Sequence, residues 1–133
     1  MLTAEVLQNF LDEVFPNNQM EIISVSEENV TVKQKITARH LRPGGTVAGP
    51  VLMGLADASV YLALLSKIGL IALAVTTNFN INFLRKPEEK DIIAVASILK
   101  LGKRLAIGEI TMYSEGNSEP VAHATCTYSI PER

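Results

Sequence analysis

The chain has 133 residues, of which 47% are hydrophobic and 20% charged, and a formal net charge of −2. That length suits a single domain, residues 1–133, with a substantial core, and the balanced charge leaves no broad basic footprint for nucleic acid. The lone cysteine, Cys126, excludes an internal disulfide and fits a reducing compartment.

No composition shift, Pro/Gly/Ser-rich stretch, repeat or charge run marks a linker. The opening residues lack the basic region and apolar run of a signal peptide. Residues 51–65 are apolar enough to raise a membrane question. That run is shorter than the ~20 residues a spanning helix needs, and Asp57 stands in its middle. A soluble, cytoplasmic protein with no membrane partner is expected.

Thr3 can cap a short helix to about Val14, with Val6, Leu7, Phe10, Leu11 and Val14 on one stripe. Pro16-Asn17-Asn18 ends it. Residues 21–26 and 29–38 read as two strands joined by a tight turn. In the second, Val30, Val32, Gln34 and Ile36 alternate with Thr31, Lys33, Lys35 and Thr37. Pro43-Gly44-Gly45 makes residues 42–46 a loop. Pro50 suits the first turn of the next helix, which runs to about Lys67 and has Gly69 as its cap. This helix is apolar nearly all round, so other elements must wrap it on several sides.

Residues 71–84 read as a long strand. Thr77, Phe79, Ile81 and Phe83 point one way, and Thr76, Asn78, Asn80 and Asn82 the other. Residues 91–101, 105–114 and 120–130 supply three more strands, joined by turns at 102–104 and 115–119. The order is helix, two strands, buried helix, four strands: an α+β chain whose six antiparallel strands curl around a long central helix. The side left open calls for a second copy of the chain.

Asp57 carries the most information. Between Arg42 and Arg85 the only other charged residue is Lys67. Taking a lone carboxylate out of water costs several kcal/mol unless something compensates. Asp57 therefore either has partners distant in sequence or lines a cavity and does chemistry.

The layout resembles the hotdog fold and, within it, the phenylacetate-degradation (PaaI-like) type of acyl-CoA thioesterase. Gly45-Thr46-Val47-Ala48-Gly49-Pro50 followed by Leu55-Ala56-Asp57 is similar to that family's Gly-x-x-His-Gly-Gly and Leu-Ala-Asp. Residues 76–85, Thr-Thr-Asn-Phe-Asn-Ile-Asn-Phe-Leu-Arg, resemble the strand after its helix. Leu101-Gly102-Lys103-Arg104-Leu105 resembles a later turn. Two departures stand out. Ala48 and Pro50 occupy the family's His and second Gly, and Arg42 occupies the place where many members have Asn.

The resemblance implies acyl-CoA hydrolysis by a homodimer or homotetramer. No metal or bound cofactor is implied, and coenzyme A is part of the substrate. Asp57 would be base or nucleophile, and Thr76, with Thr77 as alternative, would orient water or the acid. The Gly49 N–H, at the positive end of the helix dipole, suits an oxyanion. Gly54 would leave space one turn before Asp57, and Tyr61 would offer a hydroxyl one turn after it. Gly49 and Asp57 are roughly 12 Å apart along one helix axis. The resemblance therefore implies a site between subunits. Thr76 and Asn78 would lie along it. Read from the residues alone, Arg85, Lys103 and Arg104 can meet coenzyme A phosphates, and Arg42 can reach those phosphates or the carboxylate of an acidic acyl group.

Each residue also has a plainer reading. Asp57 can be a structural carboxylate, Gly49-Pro50 a simple helix entry and Thr76 an ordinary strand residue. The four cations can be solvated surface charges. His123, on a strand face with Val121, Thr125 and Thr127, reads as a satisfied or exposed histidine, and His40 likewise. Neither histidine joins Cys126 in a metal-site spacing, and Cys126 reads as a small buried residue. A non-catalytic acyl-CoA binder and, further off, a hydratase on the same fold are the alternatives.

Overall fold

A computed structural model describes residues 2–132. Helix α1 (Ala4–Val14) starts at Thr3, whose hydroxyl accepts from the Val6 N–H at 3.2 Å. Its buried residues, Leu7 and Leu11, come from the stripe visible in sequence. Strands β1 (Met20–Val25) and β2 (Val30–Gln34) form an antiparallel pair. β2 stops at Gln34, short of the expected Ala38: the Ile36 N–H bonds to the Asp91 carboxylate at 2.8 Å, and a 3₁₀ turn follows over Ala38–His40. Within the expected loop, β3 (Leu41–Arg42) and β4 (Thr46–Val47) make a two-residue ladder. Gly44 and Gly45 close it at φ 100° and 79°, values that side chains resist.

Helix α2 (Gly49–Ile68) has Pro50 in its first turn and ends at Gly69, φ 98°. At 20 residues it is long and apolar enough to cross a membrane. That corrects the length expected from the apolar run alone. Here it is the core helix instead: Leu52, Leu55, Val60, Leu62, Leu64 and Leu65 are all at most 1% exposed.

Strands β5 (Val75–Phe83), β6 (Ile92–Leu101), β7 (Leu105–Ser114) and β8 (Pro120–Ser129) complete a six-stranded antiparallel sheet in the order β1-β2-β6-β7-β8-β5. The expectation of a sheet curled around a central helix holds. α2 packs closely on its inner face at Gly108, where an added Cβ would meet Val60 Cγ1 at 2.7 Å. The chain leaving α2 crosses to the far side, so β5 is an edge strand.

β5 departs from the sequence reading in two ways. It begins at Val75, because residues 71–74 form a turn closed by Ala74 N–H to the Ile71 carbonyl at 3.3 Å. A bulge at Thr77 places Thr76 opposite Tyr128 and Asn78 opposite Thr127. Directly paired residues share a face. Thr76 therefore joins Phe79, Ile81 and Phe83 on the inner side, not the asparagines.

Candidate functional site

Asp57 is half-buried on α2, facing the β8–β5 edge of the sheet. Two hydroxyls hold it. Thr76 Oγ1 donates to Asp57 Oδ1 at 2.6 Å, and the Tyr128 hydroxyl lies 2.7 Å from the same oxygen and 2.9 Å from the Asp57 carbonyl. The bulge at Thr77 turns Thr76 inward to make this contact. Thr76 spends its one proton on Asp57, so it bears on a water only as an acceptor.

Sequence reasoning misses Tyr128. Its ring is 4% exposed and stacks on Tyr61 at 5.8 Å between centroids. Burial first, and then the Asp57 contact, push its phenol above the ordinary range, so it remains a donor. The available signal was its setting. On the inward face of β8 it follows Ala122, Ala124 and Cys126, and a buried phenol among such residues needs a polar partner.

Tyr61 differs from expectation. Its hydroxyl donates to the Ala72 carbonyl at 3.1 Å, so the contact expected with Asp57 belongs to Tyr128. Tyr61 and Gly54 both line the cavity of about 430 Å³ onto which Asp57 opens. An added Cβ at Gly54 would meet nothing within 4 Å. The end of α1, through Leu11, Val14 and Phe15, forms another wall. Asp57 is the only charged residue in this lining.

A second cavity, about 460 Å³, contains Gly49. Arg42, Arg85 and Lys86 line it with Phe83, and no acid does. Gly49 opens α2, where backbone N–H groups lack intrahelical partners. Gly49 and Asp57 thus belong to different cavities of one chain, as their helical spacing requires. Thr77, whose hydroxyl donates to the Thr127 carbonyl at 3.3 Å, and Asn78, on the outer face, line neither cavity. Lys103 and Arg104 sit on the β6–β7 turn, and Arg104 pairs with Glu132 at 3.1 Å.

Cys126 is buried, and that burial, with the Asp57 charge behind it, pushes its thiol up to about 12. It is no nucleophile at neutral pH. His123 meets Glu109 at 3.1 Å on the opposite face of the sheet. Among the described residues no group of three or more His, Cys, Asp or Glu side chains could hold a metal ion.

Residues 44–121 match the family model described as the thioesterase superfamily. The chain is similar to a proposed thioesterase from Silicibacter sp. TM1040, with 45% identity, a TM-score of 0.92, and coverage of 99% of this chain and 94% of that one. It is 26% identical over 120 residues to a proposed esterase of Thermoplasma acidophilum, covering 90% of this chain and 89% of that protein. A variant of the phenylacetic acid degradation protein of Thermus thermophilus shares the fold at 23% identity. There the TM-score is 0.74, and the coverage is 92% of this chain and 99% of that one.

Proposed function

Because the chain belongs to the thioesterase superfamily, we propose that it hydrolyses acyl-CoA thioesters at sites shared by two copies of itself. The observation that carries this reading is the division of chemistry along β5. Its Val75–Thr76 end borders the Asp57 cavity, and its Phe83 end borders the Gly49 cavity. Those ends are roughly 25 Å apart along the strand.

β5 is an edge with exposed Val75 and Phe83, and an unpaired edge of this length invites a partner strand. Antiparallel pairing of two β5 edges about a two-fold axis runs the Val75 end of one strand along the Phe83 end of the other. Each Asp57 cavity then abuts the Gly49 cavity of the partner subunit. The β6–β7 turn lies at the Val75 end of the sheet, since Leu105 and Val75 both pair with Ser129. Lys103 and Arg104 would join Arg42 and Arg85 of the partner subunit around coenzyme A phosphates.

The acyl group occupies the cation-free apolar cavity, and the thioester carbonyl meets the two chains' groups at its mouth. With Asp57 as base, it takes a proton from water. The resulting hydroxide adds to the carbonyl carbon, and the oxyanion is held by the Gly49 N–H of the partner subunit. The C–S bond then breaks, and the departing thiolate recovers the proton, leaving free acid and coenzyme A. As nucleophile, Asp57 would form a mixed anhydride that water then hydrolyses. These steps draw on no cofactor beyond the coenzyme A of the substrate, and the proposed setting is the cytoplasm.

The test is thiol release from a panel of acyl-CoAs by wild type, Asp57→Ala and Asp57→Asn. Tight binding with wild type no faster than the variants would make the protein an acyl-CoA binder. The shared site has its own test. Gly49→Pro removes the amide at a position where proline suits a helix. Mixing inactive Asp57→Ala and Gly49→Pro subunits should restore about a quarter of wild-type activity, since half the random dimers carry one intact site of two. No recovery after subunit exchange would refute the sharing.

A further inference from the structure

We propose that Tyr128 is a positioning residue that fixes which oxygen of Asp57 reacts. Both donors at the site, Tyr128 and Thr76, converge on Oδ1. Among the described residues no protein donor is bonded to Oδ2. A carboxylate held by two hydroxyls through one oxygen keeps its other oxygen free to accept a proton or attack a carbon. Tyr128 adds what Thr76 cannot. Its hydroxyl bridges Oδ1 and the carbonyl of the same aspartate, tying the side chain to the backbone of α2. One acceptor distance depends on the side-chain torsions of Asp57 and the other does not, so the pair restrains rotation of the carboxyl group.

The phenol is itself braced. Its ring stacks on Tyr61, which is pinned through its own hydroxyl to the Ala72 carbonyl. Thr76 faces Tyr128 directly across the β5–β8 ladder. The reacting oxygen thus inherits its place from two strands and one helix. The assignment rests on the reading of Asp57 as the reacting group and goes beyond it, since neither the family match nor the sequence motifs mark position 128.

The experiment is steady-state kinetics of Tyr128→Phe beside Asp57→Ala, with melting curves for both. Tyr128→Phe keeps the ring and its stacking and removes one charge-assisted bond. The expected result is a kcat about 10- to 100-fold below wild type with KM unchanged, because ground-state contacts to the acyl group and coenzyme A remain. A wild-type kcat in Tyr128→Phe, with Asp57→Ala inactive, overturns the proposal and leaves the hydrolase reading standing. An Asp57→Ala enzyme as active as wild type removes Asp57 as the reacting group and with it the premise of the proposal. Loss of kcat with a matching rise in KM and a large fall in melting temperature assigns the phenol to folding and also overturns it. Should Tyr128→Phe not fold, 3-fluorotyrosine at position 128 retains ring and hydroxyl while altering the donor. A changed kcat at constant KM then supports the proposal, and an unchanged kcat overturns it.

Discussion

Gly108→Ala tests how closely α2 must approach the sheet. The new Cβ would lie 2.7 Å from Val60 Cγ1, 3.1 Å from the Ser97 carbonyl oxygen and 3.4 Å from Ile98 Cδ1. Carbon atoms pack best at about 3.5–4.0 Å, so the Val60 methyl must retreat by roughly 1 Å. Val60 is β-branched within a helix, where one χ1 rotamer dominates, so side-chain rotation gives little relief and α2 itself must move. Overpacking of this kind costs about 1–3 kcal/mol, offset by the ~0.4–1 kcal/mol that alanine gains from a less flexible unfolded chain. A net loss of about 1–2 kcal/mol lowers the melting temperature of a domain this size by roughly 3–10 °C, read at fixed protein concentration. Val60 is also one turn from Asp57, so activity should fall as the Asp57 contacts loosen. Val60→Ala in the Gly108→Ala background removes the clash, and the double variant should be more stable than the sum of the single effects by about 1 kcal/mol. Simple additivity, or a Gly108→Ala protein as stable as wild type, would refute this account of the helix–sheet contact.

Phe15→Ala removes a wall of the Asp57 cavity and should move the best substrate toward bulkier acyl groups, while Gly54→Leu fills open space and should move it toward smaller ones. Ratios of kcat/KM across a chain-length series check both, and unchanged ratios would place the acyl group elsewhere. His40 is buried, and burial, aided by the neighbouring Arg39 charge, lowers its pKa, while its Nδ1 accepts from the Thr37 N–H at 2.8 Å. The unfolded chain takes up a proton below about pH 6.5 while the native chain resists it, so stability is full above that pH. It should decline as pH falls toward the lowered native value. Urea midpoints between pH 7.5 and 5 should show this slope, and His40→Gln should flatten it. With its thiol buried and pushed up to about 12, Cys126 should resist alkylation at pH 7.5 until denaturant exposes it. Rapid modification of native protein would contradict its burial.

Much of the fold is legible because local chemistry and global packing agree. The stripe on α1, Pro50 and Gly69 around α2, and the alternation of β2 each follow from short-range rules that the tertiary structure respects. The failures lie where the backbone breaks a period. Residues 71–74 have strand-like composition, yet a single turn hydrogen bond removes them from the sheet. Nothing in Thr76-Thr77-Asn78 announces a bulge, and one extra residue reverses the face of everything before it. Strict alternation therefore sets Thr76 beside Asn78 and Asn80, although it faces inward.

The site divides along the same line. Asp57 stands out because an apolar run makes a lone carboxylate expensive, and expense is a property of the local sequence. Its relief is not local: Thr76 comes from 19 residues away and Tyr128 from 71. A sequence shows that a buried charge demands donors but not which strand delivers them, because that depends on sheet order, and here β5 crosses to pair with β8. The same crossing makes β5 an edge, so one topological choice both completes the aspartate's hydrogen bonds and leaves a strand edge unpaired. Moving β5 to a place not beside β8 would separate Thr76 from Tyr128. The pairing that steadies Asp57 and the open edge on which the proposed dimer rests are consequences of one strand position.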